Sequence, residues 1–183
     1  MEERLTELYQ GVAKAVAAGK VVGWFQGKME FGPRALGNRS IVADPRRTDM
    51  KDILNTRIKH RETYRPFAPS ILEEKTGDVF ERSELSPFMM MVFKVKEAQR
   101  AKLPAITHVD DTGRLQTVSA ATNPRYHALI AEFERQTGVP LVLNTSFNEH
   151  EPIVATPGDA LACYLKTRMD VLALGNWVLT RAT

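Results

Sequence analysis

A short apolar segment runs directly into a glycine-rich cationic loop, and this junction limits the folds open to the chain. Residues 21–25 predict a buried strand. Residues 27–40 then carry three glycines, a proline and three cations, Lys28, Arg34 and Arg39, beside one carboxylate. Sheets of α/β proteins usually hold their ligands at such strand ends, so the junction favours an α/β fold with an anion site on this loop. A turn with solvated cations is the alternative that the stretch alone leaves open.

The loop does not follow the common phosphate-binding motifs. Its glycines allow positive φ or the close approach of a ligand, and its lysine and arginine donors suit phosphate oxygens. It lacks the Gly-Lys-Ser/Thr ending of a Walker A loop and the Gly-x-Gly-x-x-Gly pattern of dinucleotide-binding folds. Neither of these two nucleotide-binding classes is therefore indicated.

Apolar residues at helical spacing predict four helices. The first ends at Gly19, and the second has Asp49 as its N-cap. The third begins with Asn123 as N-cap before a proline, and the fourth with a capping box from Thr156 to Asp159. Their ranges are residues 5–16, 49–58, 123–138 and 156–165.

Strand-like segments alternate with these helices. Residues 40–43, 88–95 and 140–143 predict strands, the last running into a polar turn at residues 144–148. Turn signals at residues 111–113 and 175–176 predict two hairpins. The chain therefore predicts a twisted, mixed sheet flanked by helices.

Composition indicates one ordinary globular domain spanning residues 1–183. At that length the fold buries about two-thirds of the surface of the unfolded chain. Hydrophobic residues at 43% and charged residues at 26% argue against a disordered or fibrous class. The single cysteine, Cys163, cannot form an internal disulfide, and no apolar run approaches the roughly 20 residues of a membrane span. With no signal peptide at its start, we expect a soluble, cytoplasmic protein.

Positive charge is concentrated in one region. Residues 27–65 contain ten Lys and Arg against five Asp and Glu, whereas the whole chain carries a net charge of +3. A local cationic region in a nearly neutral chain favours a compact anionic ligand over a long nucleic-acid track. We therefore expect a concave cationic cleft.

Three cations could converge on one phosphate-bearing ligand. Lys59 falls at the end of the second predicted helix, and two prolines prevent the helix from continuing, so residues 59–70 should run extended across the surface. That path could bring Lys59 and Arg65 to one anion together with Arg34. A cationic last helical turn that complements the helix dipole is the alternative.

Neutral donors from the later polar turn could complete this site. Ser146 and Asn148 would lie at its edge, and such a set suits phosphoryl or nucleotidyl transfer, in which positioning and charge neutralisation supply most of the catalysis. Mg²⁺ often binds mainly to the nucleotide phosphates, with Glu30, Asp110 and Glu151 as alternative indirect ligands. We predict no dedicated protein metal site.

Covalent and zinc-dependent mechanisms are not indicated. No serine lies in a Gly-x-Ser-x-Gly elbow, and Cys163 falls inside a predicted helix, where a buried structural thiol is expected. The four histidines lack the His-Glu-x-x-His spacing, and His108 beside Asp110 and Asp111 is more typical of a solvated turn than of a metal centre.

Three long motifs resemble one known family. They are GKMEFGPRALGNRS at residues 27–40, KHRETYRPFAPS at residues 59–70 and LNTSFNEHEPIV at residues 143–154. In this order they are similar to the C-terminal domain of the O-carbamoyltransferases of the nodulation-factor and cephalosporin type. The resemblance runs from about Val21 to the end of the chain and implies a YrdC-like fold.

The resemblance also implies a reaction. Similar domains take carbamoyl phosphate and ATP, with Mg²⁺, and form a carbamoyl-adenylate with release of pyrophosphate. By motif, the nucleotide and carbamoyl groups would be bound by Lys59, Arg65, Ser146 and Asn148, of which Lys59 and Arg65 would be catalytic, and Arg34 would contact phosphate. A further family-like stretch places Arg114, Gln116 and Thr117 near the carbamoyl phosphate or adenylate.

The same resemblance implies that a partner is missing. In the family, the carbamoyl group passes to a hydroxyl acceptor in an N-terminal, metal-containing domain, and this chain begins just before the C-terminal domain. Two other functions stay open. An RNA-binding YrdC-like module would need a long basic face and salt-sensitive affinity. A catalytically silent structural domain would dock the missing half through an apolar patch.

Overall fold

The computed structural model describes residues 2–181. Six α-helices lie in that range: α1 (Glu2–Ala17), α2 (Met50–Asp52), α3 (Thr76–Val79), α4 (Glu97–Arg100), α5 (Pro124–Thr137) and α6 (Pro157–Thr167). A π-helical segment, Ile53–Ile58, continues α2, and a 3₁₀ turn, Glu73–Lys75, precedes α3. None of the helices in the described range is long and apolar enough to cross a membrane.

Seven of the nine strands in the described range form one mixed sheet. The strands are β1 (Val22–Phe25), β2 (Arg39–Ala43), β3 (Ala68–Leu72), β4 (Phe93–Lys94), β5 (Thr112–Gly113), β6 (Gln116–Val118), β7 (Leu141–Ser146), β8 (Val171–Leu174) and β9 (Trp177–Thr180). The sheet order is β6-β3-β7-β2-β1-β8-β9, and β4 pairs with β5 separately. Among the strands of the described range, only the pairs β1 with β8 and β3 with β6 run parallel. This confirms the predicted mixed sheet.

Helices cover both faces of the sheet, which explains why its central strands are buried over most of their length. On one face α1 and α5 pack over Trp24 and Val42. On the other face the π-helical segment and α6 pack over Phe25, Ile41 and Leu172. Because successive strand residues point to opposite faces, each central strand supplies apolar side chains to both layers.

Several local predictions are confirmed at atomic detail. Asn123 caps α5 by accepting a hydrogen bond from the Tyr126 amide, and Gly138 ends the helix in the left-handed conformation. Thr156 and Asp159 form the predicted capping box at the start of α6. The strands β8 and β9 form the predicted C-terminal hairpin.

The predicted strand over residues 88–95 is wrong. Only Phe93–Lys94 is a strand, and it belongs to the small two-stranded sheet rather than to the centre of the large one. Phe88, Met90 and Val92 are exposed, and Met89 has a φ of 54°. The run of apolar residues indicated burial throughout, but Phe88 and residues 90–92 lie on the surface, whereas Met89 and Phe93 are buried.

Two further predictions need correction at turns. The segment around Asp111 is not a hairpin, because β5 pairs with β4 while β6 pairs with β3 in the main sheet. Asp49 does not cap the second helix through its side chain. Its carboxylate instead accepts hydrogen bonds from Arg47 at 2.8 and 2.5 Å.

The segment predicted to cross the surface does so only in part. Residues 62–66 are exposed, but Lys59 is buried and residues 68–70 enter the sheet as the start of β3. Similarly, Asn144, Thr145 and Ser146 belong to β7 rather than to the predicted polar turn. Both differences bring polar side chains into the sheet next to the cationic loop.

Candidate functional site

A small polar cavity opens where five segments of the chain meet. Its walls are the 30–38 loop, residues 61–68 leading into β3, Met89, the short connection between β5 and β6, and the end of β7. The cavity has a volume of about 110 Å³. The residues lining it are Pro33, Arg34, Ala35, Arg61, Pro66, Phe67, Ala68, Met89, Arg114, Asn144, Thr145 and Ser146.

Three arginines from distant parts of the chain line this cavity. Arg34, Arg61 and Arg114 have no carboxylate within ion-pair distance in residues 2–181. Burial and the charges of Arg34 and Arg61 lower the pKa of Arg114. Burial and the charge of Arg65 likewise lower the pKa of Arg61, against an opposing contribution from Glu62. A bound anion would relieve this mutual repulsion, so the cavity is an electrostatic match for phosphate or a similar group.

The carboxylate of Glu30 stabilises the loop that carries Arg34. Glu30 Oε1 accepts hydrogen bonds from the main-chain NH groups of Leu36 at 2.6 Å and Asn38 at 2.8 Å. Gly37 is required at its position because its φ is 107° and an added Cβ would lie 2.1 Å from a ring carbon of Tyr126. The predicted role of glycine in this loop is therefore explained here by a close approach between backbone and ring.

Arg61 is held at the cavity by contacts that the sequence does not reveal. Its Nε donates a hydrogen bond to Asn55 Oδ1 at 2.8 Å, and its guanidinium lies 5.0 Å from the centre of the Phe67 ring. Arg65, which the sequence favoured, instead pairs with Glu62 at 2.9 Å and is half exposed. Arg65 does not line the cavity, so its assigned binding role remains a prediction.

Lys59 lies beside the cavity, buried behind its wall. Its Nζ donates to the carbonyl oxygens of Ser146 and Asn148, both at 2.6 Å, and to Asn148 Oδ1 at 2.8 Å. Burial, followed by the positive charge of Arg61, lowers the pKa of Lys59 to about 7. The structure thus brings Lys59, Ser146 and Asn148 together as predicted, but it joins them to one another.

Ser146 is the member of this group that reaches the cavity wall. Its hydroxyl donates to Asn148 Oδ1 at 2.7 Å. The Asn148 amide in turn donates to the carbonyl oxygen of Glu151 at 2.6 Å. The chain of contacts fixes the loop after β7, and contact of these side chains with a ligand remains a prediction.

Gln116 and Thr117 are buried behind the cavity. Gln116 Oε1 accepts from the Ser70 hydroxyl at 2.6 Å, and its Nε2 donates to the Leu36 carbonyl oxygen at 2.8 Å. Thr117 Oγ1 accepts from the Ser86 amide at 3.0 Å. Both side chains therefore hold neighbouring segments in place, and direct ligand contact by either is untested.

Asn144 was missed by the sequence analysis. It is 1% exposed, lines the cavity and donates to Ala35, Ser70 and Gln116. A polar side chain directly after the apolar run at 140–143 was the available signal, but it was interpreted as the start of a turn.

In residues 2–181 the histidine, cysteine and acidic side chains are not grouped as a metal site would require. No group of three His, Cys, Asp or Glu side chains suited to a metal occurs in residues 2–181. His108 Nδ1 contacts Thr112 Oγ1 at 3.2 Å. Cys163 is a buried free thiol, as predicted, and burial together with a hydrogen bond to Glu151 raises its pKa to about 12.

Sequence comparison agrees with the motifs. A family model described as carbamoyltransferase C-terminus matches residues 13–181. Nodulation protein NolNO of Sinorhizobium fredii is 50% identical over 186 residues, which cover 99% of this chain and 27% of that protein. The 3′-hydroxymethylcephem-O-carbamoyltransferase of Streptomyces clavuligerus is 42% identical over 140 residues, covering 76% of this chain and 26% of that enzyme. The match thus spans only about a quarter of the length of each of these relatives.

Solved structures agree with the fold. Full-length HypF in a phosphate- and nucleotide-bound form superposes with a TM-score of 0.63 at 23% identity, over 92% of this chain and 25% of that one. Sua5 of P. abyssi with L-threonine gives a TM-score of 0.66 at 14% identity, over 91% of this chain and 46% of that one. At these identities the likeness concerns the fold alone, and it confirms the predicted YrdC-like architecture.

Proposed function

Because the chain belongs to the carbamoyltransferase C-terminal family, we propose that it binds ATP and carbamoyl phosphate and forms carbamoyl-adenylate for an O-carbamoyltransferase. One observation carries the proposal: Arg34, Arg61 and Arg114 line one cavity without carboxylate partners in the described range. Arginine suits phosphate because its planar, always charged fork can donate two parallel hydrogen bonds.

The size of the cavity suggests which part of the reactants it holds. At about 110 Å³ it lies well below the roughly 300–1,000 Å³ of pockets that enclose a whole drug-sized ligand. It suits a phosphate or carbamoyl phosphate, whereas the nucleoside of ATP would extend outside it. The reaction centre would then be at the arginines and the nucleoside near the exposed rim.

The proposed chemistry needs positioning and charge neutralisation more than a protein nucleophile. Carbamoyl phosphate, ATP and one water would give carbamoyl-adenylate, inorganic phosphate and pyrophosphate, which balances all atoms. The arginines would orient the phosphates and stabilise the negative charge that develops in transfer. Mg²⁺ would arrive on the nucleotide phosphates, since it commonly keeps few protein ligands.

Transfer to the hydroxyl acceptor would take place elsewhere. The relatives are three to four times as long as the matched region, so we place the acceptor site in a further N-terminal domain. The present chain, as a single domain, would supply the activated carbamoyl group. The acceptor and a cytoplasmic location remain predictions.

Exposed apolar side chains favour an additional docking role. Phe31, Tyr64, Met90 and Val109 are all largely exposed. Tyr64 and Val109 line a groove with Pro66, and Pro66 also lines the arginine cavity. An N-terminal domain covering this rim would bury the apolar groups and close the cavity to water.

Calorimetric titration of ATP with Mg²⁺, alone and with carbamoyl phosphate, tests the proposal. Arg61→Ala and Arg114→Ala should weaken binding, whereas Arg135→Ala removes an equal charge on α5, where Arg135 pairs with Glu132, and should not. Pyrophosphate release that requires carbamoyl phosphate would support adenylate formation. Unchanged binding in both cavity variants would exclude this cavity as the site.

A further inference from the structure

Two buried polar atoms of cavity-lining residues lack hydrogen-bond partners among the described residues. They are Oδ1 of Asn144, an acceptor, and Nε of Arg114, a donor. Buried polar atoms are nearly always hydrogen-bonded, so two such atoms on one cavity indicate a ligand with complementary groups. The complementary groups are one hydrogen-bond donor and one acceptor.

The orientation of the Asn144 amide is fixed by its neighbours. Its Nδ2 lies 3.1 Å from the Ala35 carbonyl oxygen, 2.9 Å from Ser70 Oγ and 3.1 Å from Gln116 Oε1. Because the Gln116 Nε2 donates to the Leu36 carbonyl oxygen, the Gln116 oxygen must be the atom that faces Asn144. A flipped Asn144 would set its oxygen against two carbonyl oxygens and a hydroxyl whose proton is already donated to Gln116 Oε1, so Oδ1 lies on the side away from them.

An unpartnered acceptor is unusual in a site for phosphate. The three arginines supply donors, and phosphate oxygens accept from them. An asparagine oxygen, however, needs a donor from the ligand, and a fully ionised phosphate has none. The donor must therefore belong to another part of the anionic ligand.

We propose that Asn144 Oδ1 accepts a hydrogen bond from the NH₂ of the carbamoyl group while Arg114 Nε donates to its carbonyl oxygen. Asn144 is then the residue that distinguishes carbamoyl phosphate from other acyl phosphates. The assignment rests on the proposed function, because it takes carbamoyl phosphate as the ligand of the cavity. It adds the basis on which the NH₂ group is recognised.

Acetyl phosphate provides a matched test ligand, since it replaces the NH₂ by a methyl group of similar size at the same charge. A buried acceptor left without its donor costs about one to two orders of magnitude in affinity. Calorimetry on the intact chain should therefore show carbamoyl phosphate binding at least about tenfold more tightly than acetyl phosphate. Sulfate, which carries two negative charges and no proton at neutral pH, serves as the reference for the arginines alone.

The three ligands separate the two proposals. Equal affinity for carbamoyl and acetyl phosphate would overturn the role of Asn144 and leave the anion site intact. No binding of any of the three would overturn the proposed function itself. Tighter binding of carbamoyl phosphate than of the other two ligands supports both the role of Asn144 and the proposed function.

A variant assigns the discrimination to Asn144. In Asn144→Ala the preference for carbamoyl over acetyl phosphate should fall from at least about tenfold to near one, with affinity for acetyl phosphate retained. A purely structural role would weaken both ligands equally and keep their ratio, which would overturn the assignment. If the lost contacts to Ser70 and Gln116 prevent folding, the ligand comparison on the unaltered chain decides alone.

Discussion

Lys59 and Ser146, 87 positions apart in the chain, are joined by a 2.6 Å hydrogen bond from the lysine Nζ to the serine carbonyl oxygen. The same Nζ bonds Asn148, so one buried amine fastens the loop after β7 to the end of the π-helical segment. In this conformation the donors of Lys59 are used within the protein. Lys59 thereby positions Ser146 at the cavity wall.

Lys59→Met should destabilise the fold by about 1–3 kcal/mol, since it leaves buried oxygens of Ser146 and Asn148 without their donor. Urea denaturation at neutral pH measures the change. The exposed Lys20→Met is the control and should stay within about 0.5 kcal/mol of the unaltered chain. Equal stability of Lys59→Met and the control would contradict this positioning role.

Arg61 and Arg65 form a second matched pair. Arg61→Ala should weaken carbamoyl phosphate binding by about tenfold to a hundredfold, because it removes charge-assisted hydrogen bonds at the cavity. Arg65→Ala should change affinity much less, since Arg65 pairs with Glu62 on the surface. Calorimetry with both variants checks the order. The reverse order would show that Arg65 reaches the ligand through a change in conformation.

Sequence patterns predicted the elements whose causes are local. Asn123 and Gly138 determine the ends of α5 through side-chain capping and a left-handed backbone, and both were evident from residue type and spacing. The segment at residues 88–95 failed because its apolar content is equally compatible with a buried strand and an exposed surface. Only tertiary contacts distinguish the two.

The residues of the candidate site show the same difference between local and tertiary causes. Arg34 and Arg114 were predicted and line the cavity. Arg61 could not be chosen over Arg65, because the choice depends on Asn55, which orients Arg61 inward. Asn144 was missed for a different reason. A polar residue inside a buried strand departs from the usual apolar pattern, and only its hydrogen-bond partners on neighbouring segments explain it.

The order of the cationic loop depends on Glu30. Glu30→Ala should reduce anion affinity by several-fold, because the amides of Leu36 and Asn38 lose their common acceptor and the loop carrying Arg34 loosens. Glu30→Gln retains one oxygen acceptor and should lose less. Calorimetry with inorganic phosphate measures both variants. Equal losses in the two variants would show that the charge of Glu30, which both variants lack, matters more than its hydrogen bonds.

Cys163 should be inert in the folded protein. It is 4% exposed, and burial with the nearby Glu151 raises its pKa to about 12, so almost no thiolate exists at pH 8. A disulfide reagent should react with less than one thiol per chain over minutes in buffer and with one thiol in urea. Rapid labelling without denaturant would show that the structure around Cys163 opens readily.

Glu151 should contribute stability that is lost in acid. Partial burial alone would raise its pKa, but main-chain hydrogen bonds, among them those from Glu149 and His150, outweigh burial and lower the pKa to about 2 from 4.5. The unfolded chain therefore binds this proton first as the pH falls, so the contribution is complete above pH 4.5 and disappears as the pH falls toward 2.

The matched variant for this acid dependence is Glu151→Gln, which keeps an oxygen acceptor and removes the titrating group. Urea midpoints of the two proteins should differ most at pH 6 and converge between pH 4.5 and pH 2. The effect should be modest, because the Glu151 side chain is 37% exposed and solvent screens its charge. A difference that stays constant from pH 6 to pH 2.5 would mean that the hydrogen bonds, and not the charge of Glu151, stabilise the loop.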